Sequence, residues 1–198
     1  NAKNVEIVYV VDPDKQQVAR RLQEVGGNCQ GRADIRTVLD DKSVDAISIA
    51  TPNHWHSLMT IWGVQAGKHV YSEKPFVLSL AEAQELGNIA KANNLRIGSA
   101  PDTFMGGSHQ LARNLIDAGT IGKVTSGAAV VMSSGMEDWH PNPDFFFQKG
   151  GGPILDLGPY YICNLVQLLG PVNKVTSFTG MASETRTIQN GPRDGETV

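Results

Sequence analysis

The strongest constraint on the fold is an alternation of short β-branched runs with helix-like stretches over roughly the first half of this 198-residue chain. Val5-Glu6-Ile7-Val8-Tyr9-Val10-Val11 predicts a buried strand, ending at Asp12-Pro13-Asp14 where a helix begins. That helix runs over 14–25 and stops at Gly26-Gly27. The alternation continues with a helical turn near 35–39, a strand over 45–50, a helix over 56–66, a strand over 69–71, a helix over 79–93 and a strand over 96–99. Strands separated by helices of this length predict a parallel sheet with right-handed crossovers, the α/β class.

After Pro101 the rhythm changes. A helix over 109–118 is followed by a longer predicted strand, Lys123 to Ser133, and then by about twenty residues crowded with Gly, Pro and aromatic side chains. A helix over 153–169 stops at Gly170-Pro171, and a strand over 174–181 leads into a polar tail. The expected organisation is therefore a dinucleotide-type Rossmann domain over 1–100 and a second α/β domain over 101–198.

Composition narrows the partners. The longest unbroken apolar runs, Ile7 to Val11 and Ala128 to Met132, are far shorter than the ~20 residues a bilayer span needs. A net charge of −3 without a basic cluster does not favour nucleic acid. Cys29 and Cys163 are widely separated, and no Cys or His stands at metal-ligand spacing, so no metal is expected and a reducing, cytoplasmic setting is. Asn1-Ala2-Lys3-Asn4 runs straight into the first strand pattern with no basic-then-apolar leader.

Four segments carry chemistry. Asp12, at the carboxyl end of the first strand, stands where such sheets place the acid that binds an adenosine ribose; it can equally be a helix cap. Ala50-Thr51-Pro52-Asn53-His54-Trp55-His56 joins a buried strand to a helix at the sheet edge where ligands bind. Gly67-Lys68-His69-Val70-Tyr71-Ser72-Glu73-Lys74-Pro75 ends a strand in an acid, a base and a proline. Pro75 biases Lys74 toward an extended backbone that directs its side chain off the strand end; a surface pairing with Glu73 is the alternative. In Gly150-Gly151-Gly152-Pro153-Ile154-Leu155-Asp156-Leu157-Gly158-Pro159-Tyr160-Tyr161, a continuous helix would put Asp156 and Tyr160 on one face. An ammonium nearby would favour the phenolate of such a tyrosine, although a cap and a core residue are the ordinary roles for an Asp and a Tyr so placed.

Glu73-Lys74-Pro75 after Gly67-Lys68-His69-Val70, together with the glycine-rich Asp156-x-x-x-Tyr160 helix, resembles the Gfo/Idh/MocA family of nicotinamide-dependent sugar and polyol oxidoreductases. The resemblance runs from the first strand to the predicted strand at Lys174. It implies a Rossmann domain followed by an α/β domain with a large open, mostly antiparallel sheet. It also implies that Lys74 contacts the nicotinamide ribose and the reacting hydroxyl, that Asp156 positions substrate, and that Tyr160 takes the hydroxyl proton. Asp12, Thr51, Pro52, Asn53, His56, Glu73, Lys74 and Pro75 would line the cofactor. The carboxylate of Asp12 favours NAD over NADP, because it repels a 2′-phosphate.

Many members carry His where this chain has Tyr160, which resembles the glucose-fructose oxidoreductase and dihydrodiol dehydrogenase branches. The glycine fingerprint that should precede Asp12 by about 20 residues is not in the sequence, and few residues follow Met181 to complete a large sheet. A piece of a longer protein is the expectation. Trp139 and His140, in the aromatic loop Asp138-Trp139-His140-Pro141-Asn142-Pro143-Asp144-Phe145-Phe146-Phe147, are candidates to stack on and hydrogen-bond a sugar, with Asp144 a further candidate.

The expected activity is hydride transfer between a secondary alcohol of a sugar, polyol or related ring and NAD, in a homodimer or homotetramer. Two alternatives stand beside it. One is a redox-neutral, NAD-dependent glycoside hydrolase; the other is a sugar- or cofactor-sensing relative without turnover.

Overall fold

The computed structural model describes residues 4–198, which divide into two compact units. The first comprises the chain through Ser72 together with Ser79–Gly98; the second comprises Glu73–Leu78 and Ser99–Val198. By its contacts the Glu73-Lys74-Pro75 segment thus belongs with the second unit, although its sequence neighbours on both sides belong with the first.

In the first unit, β1 (Tyr9–Val11) pairs in parallel with β2 (Gln30–Arg32), with Tyr9 opposite Gln30, and α1 (Lys15–Val25) forms the crossover. Asp14, whose carboxylate accepts from the Gln16 N–H at 2.8 Å, is the N-cap of α1. A second ladder has the order β3-β4-β5, from β3 (Ala46–Ile49), β4 (His69–Ser72) and β5 (Ile97–Ser99), with β3 and β4 paired in parallel. Its crossovers are α2 (His56–Gln65) and α3 (Leu80–Ala92). Ser79 caps α3 by accepting from the Glu82 N–H. Alternation along β4 buries Val70 and Ser72 and exposes His69 and Tyr71. Ile49, Val64, Val70, Leu86 and Ala90 make the core between helices and sheet. Gly63 lets α2 lie close on that sheet, since a Cβ there would stand 2.5 Å from Ile47 Cδ1.

In the second unit, α4 (Gly107–Asp117) packs on α7 (Gly158–Leu169). Nη1 of Arg113 donates to the carbonyls of Gln167 (3.0 Å) and Leu168 (2.9 Å), satisfying acceptors that the end of α7 leaves open. Two single-turn helices, α5 (Asp144–Phe147) and α6 (Pro153–Asp156), precede α7.

The parallel α/β arrangement is as expected, and three local expectations are corrected. The strand predicted over 5–11 is confined to its last three residues, because the paired register with the short β2 covers Tyr9–Val11; β2 itself, with no β-branched residue, has no strand signature. The segments Lys123–Ser133 and Lys174–Met181 form no strand. A strand exists only as a ladder, and these largely exposed stretches are paired with no strand among the described residues. The helix predicted over 153–169 is broken at Leu157. No helix among the described residues is long and apolar enough to cross a membrane.

Candidate active site

The break at Leu157 shapes the site in the second unit. Pro159 has no N–H to donate, and the Tyr160 N–H turns to the Leu157 carbonyl at 3.1 Å instead of reaching Asp156. The Asp156 carbonyl is thereby released from the helix ladder. The Lys74 ammonium takes it up at 2.7 Å and also donates to Oδ1 of the same residue at 2.5 Å. Both side chains are largely enclosed, with 16% and 20% of their surface exposed, so this ion pair is better shielded than one on the open surface. The ammonium lies 5.3 Å from the centroid of the Tyr160 ring, within cation–π range.

Lys74, Asp156 and Tyr160 are therefore brought together, but through a helix break and not through one continuous face. The Glu73 carboxylate accepts from the Lys74 main-chain N–H at 3.1 Å. This bond and Pro75 fix the backbone from which the lysine reaches.

The aromatic loop adjoins this cluster through the backbone. Gly152 N–H donates to the Phe146 carbonyl at 2.6 Å, and the Gly152 carbonyl accepts from the Asp156 N–H at 2.9 Å. Gly151 fits against the same turn, where a Cβ would come within 2.5 Å of the Phe145 and Phe146 carbonyl oxygens. Phe146 meets Trp139 edge-on at 6.4 Å, and the His140 ring packs against Trp139, Phe145 and Phe146. Nδ1 of His140 accepts from the Asn142 N–H at 3.1 Å, which in the neutral ring leaves Nε2–H as the donor. Trp139 is 56% exposed and presents an open ring surface. Arg193 holds the Asp144 carboxylate through both terminal nitrogens and keeps it below the usual carboxylate range.

Sequence reasoning misses two further features. Asn164 and Gln167 follow Tyr160 at spacings of four and seven along α7, and each keeps a buried side-chain oxygen without a partner. Glu137, at the head of the aromatic loop, is 3% exposed and pairs with Arg186 at 2.9 Å. The spacing of Tyr160, Asn164 and Gln167 is visible in the sequence; the Glu137–Arg186 pairing has no local signal.

In the first unit, Asp12 follows β1, its N–H bonded to the Arg32 carbonyl at 3.1 Å. Its Oδ1 accepts from the Asp14 N–H at 2.8 Å, so Asp12 shapes the turn into α1 while Asp14 does the capping. The Thr51-Pro52-Asn53 turn follows β3 and enters α2 through a 3-10 turn over Asn53–Trp55. His56, 1% exposed, closes that turn by a 2.8 Å bond between its Nε2 and the Thr51 carbonyl. Thr51 Oγ1 is buried without a partner. A carboxylate beyond one parallel strand and an unanswered hydroxyl beyond another fit the ribose and amide groups of a dinucleotide. Among the described residues no cluster of three His, Cys, Asp or Glu side chains could hold a metal ion.

Residues 1–100 match the model described as oxidoreductase family, NAD-binding Rossmann fold, and residues 109–195 match the GFO/IDH/MocA C-terminal domain. The chain belongs to the Gfo/Idh/MocA oxidoreductase family. It is 28% identical over 169 residues to levoglucosan dehydrogenase of Pseudarthrobacter phenanthrenivorans, covering 82% of this chain and 42% of that protein. It is 30% identical over 177 residues to scyllo-inositol 2-dehydrogenase (NAD(+)) of Bacillus subtilis, covering 88% and 48%. Among solved structures, myo-inositol 2-dehydrogenase from Lactobacillus plantarum superposes with a TM-score of 0.72 at 27% identity, over 85% of this chain and 50% of that one. The chain thus spans about half the length of these relatives.

Proposed function

We propose that the protein interconverts a secondary alcohol of a sugar or polyol with the corresponding ketone, using NAD in preference to NADP. The observation that carries this reading is the Lys74 ammonium held on the main-chain oxygen and Oδ1 of Asp156 and over the Tyr160 ring. NAD, when bound, supplies the hydride acceptor. In the oxidative direction Tyr160 would remove the hydroxyl proton as the hydrogen on the carbinol carbon departs as hydride, with both electrons of the C–H bond, and the C–O bond becomes a carbonyl. Lys74 stabilises the developing negative charge on the oxygen, and Asp156 orients the lysine and the substrate. Trp139 offers the face on which the ring stacks, and His140 Nε2–H donates to a hydroxyl. Asp12, Thr51, Pro52, Asn53, His56, Glu73, Lys74 and Pro75 would hold the cofactor, His56 by shaping the turn it closes. The inositol and levoglucosan dehydrogenases among the relatives support the substrate class.

The same proposal assigns residues 1–100 to cofactor binding and 101–198 to substrate, and takes the protein to be a cytoplasmic homodimer or homotetramer. The test is to incubate the whole protein with NAD and a panel including scyllo-inositol, myo-inositol and levoglucosan, and to follow NADH. Reduction of NAD with at least one member is expected; none with any sugar or polyol would sink the reading.

A further inference from the structure

The polar tail folds into a hairpin that grips the aromatic loop. Arg186 and Val198 exchange main-chain hydrogen bonds at 2.9 and 2.8 Å, and Ile188 N–H donates to the Glu196 carbonyl at 2.9 Å. A 3-10 turn over Gly191–Arg193 lies between the two arms. Ile188 anchors the hairpin with 0% exposure. Four contacts then reach the loop. Gln189 N–H donates to the Glu137 carbonyl at 2.9 Å, Asn190 Nδ2 donates to the Trp139 carbonyl at 3.1 Å, Arg186 pairs with the buried Glu137, and Arg193 clasps Asp144.

These contacts seize the loop by its backbone and by Glu137 and Asp144 while leaving Trp139 exposed. The segment is flanked by glycines at positive φ, Gly135 (139°) and Gly152 (86°), where the chain changes direction. Ring contacts with Phe145 and Phe146 hold Trp139 and His140 from within, and the hairpin adds contacts that fix the loop from outside.

We infer that Arg193 and Asn190 are positioning residues for sugar recognition, acting through Asp144 and the Trp139 carbonyl to hold Trp139 and His140 in a ligand-ready arrangement. The inference rests on the proposed oxidoreductase reading, in which those two side chains contact the sugar. Neither Arg193 nor Asn190 touches Lys74, Asp156 or Tyr160 through any bond described above, so their loss should weaken ground-state binding and spare the chemical step.

The experiment uses the whole protein and whichever of scyllo-inositol, myo-inositol and levoglucosan it oxidises best. Arg193→Met should raise KM about tenfold with kcat changed less than about twofold, and Arg193→Lys should recover part of the loss. Asn190→Ala, an exposed substitution that leaves the ion pairs in place, should move KM in the same direction. Amide exchange over 136–147 should accelerate in both Arg193→Met and Asn190→Ala, while NAD affinity stays that of the wild type. Unchanged exchange in both variants overturns the inference, and so does faster exchange with an unchanged KM. A wild-type protein that oxidises no sugar or polyol overturns the oxidoreductase reading and this inference with it. Wild-type turnover alongside variants that keep their KM overturns this inference alone.

Discussion

The Lys74 ammonium binds Asp156 twice, through the carboxylate at 2.5 Å and through the main-chain oxygen at 2.7 Å. The second bond exists because the chain leaves the helical ladder at Leu157, so a proline and an off-ladder N–H fix the place of a charge that arrives from residue 74. Removing the ammonium should therefore cost more than altering the carboxylate. Lys74→Ala is expected to lower kcat on the order of 10²–10³-fold, the loss typical of one donor aimed at a developing oxyanion. Asp156→Asn, which retains the main-chain acceptor, should fall less far. Steady-state rates of the two variants decide the matter, and an Asp156→Asn defect larger than that of Lys74→Ala would contradict the dual anchoring.

Tyr160→Phe tests the proton step separately. The phenyl ring keeps the face over which the ammonium lies at 5.3 Å, so the local packing should survive while the acid–base group is lost. A fall in kcat of about 10²–10⁴-fold is expected. NAD affinity, measured by titration of the variant, should match that of the wild type. Full activity in Tyr160→Phe would move the base elsewhere.

Much of the first unit is legible in the sequence for identifiable reasons. α3 has a serine cap at Ser79, and the strand ending in Glu73-Lys74-Pro75 runs directly into a motif with a restricted backbone. β2 is not legible, because Gln30-Gly31-Arg32 is a strand only through its partner Tyr9–Val11. The break at Leu157 has a visible cue in Gly158-Pro159, outweighed by the apolar periodicity on either side of it. The clasp of Arg193 on Asp144 spans 49 residues and has no periodic signature, so only the folded chain reveals that Asp144 is already engaged. Lys123–Ser133 and Lys174–Met181 read as strands by their residue types, yet residue type cannot supply the hydrogen-bonding partner on which a ladder depends.

Gly151 offers a stability test of the link between the aromatic loop and α6. A methyl group there would lie 2.5 Å from two main-chain oxygens, those of Phe145 and Phe146, and backbone cannot swing aside as a side-chain tip can. Gly151→Ala should cost about 1–3 kcal/mol, as forced overpacking does, and should lengthen the neighbouring Gly152 N–H to Phe146 carbonyl bond. Denaturant unfolding of the variant against wild type measures the cost. Gly87→Ala is the control, since a Cβ at that α3 position meets nothing within 4 Å. An equal effect at both positions would show that the crowding at Gly151 relaxes freely.

Asp41 gives the pH dependence a defined sign. Its carboxylate accepts from the Tyr9 hydroxyl on β1 at 2.7 Å, while its main-chain oxygen accepts from the buried Lys68 ammonium at 2.6 Å, so one residue ties the two ladders of the first unit. The Tyr9 hydrogen bond first, and those from Ser43 next, draw its carboxyl down to about 2 from the ordinary 3.8. Because the folded value is the lower one, the stabilisation is complete above the ordinary value and is lost as pH falls through the folded one. Unfolding free energy should therefore decline between about pH 4 and pH 2. Asp34, held by Arg36, titrates over the same range, so the wild-type curve alone does not isolate Asp41. The difference between wild type and Tyr9→Phe does. The variant should be less stable at neutral pH, and the gap should narrow as acid protonates Asp41 in both proteins. A gap that stays constant down to about pH 2 would mean that the Tyr9 hydroxyl contributes through packing and not through the charged carboxylate.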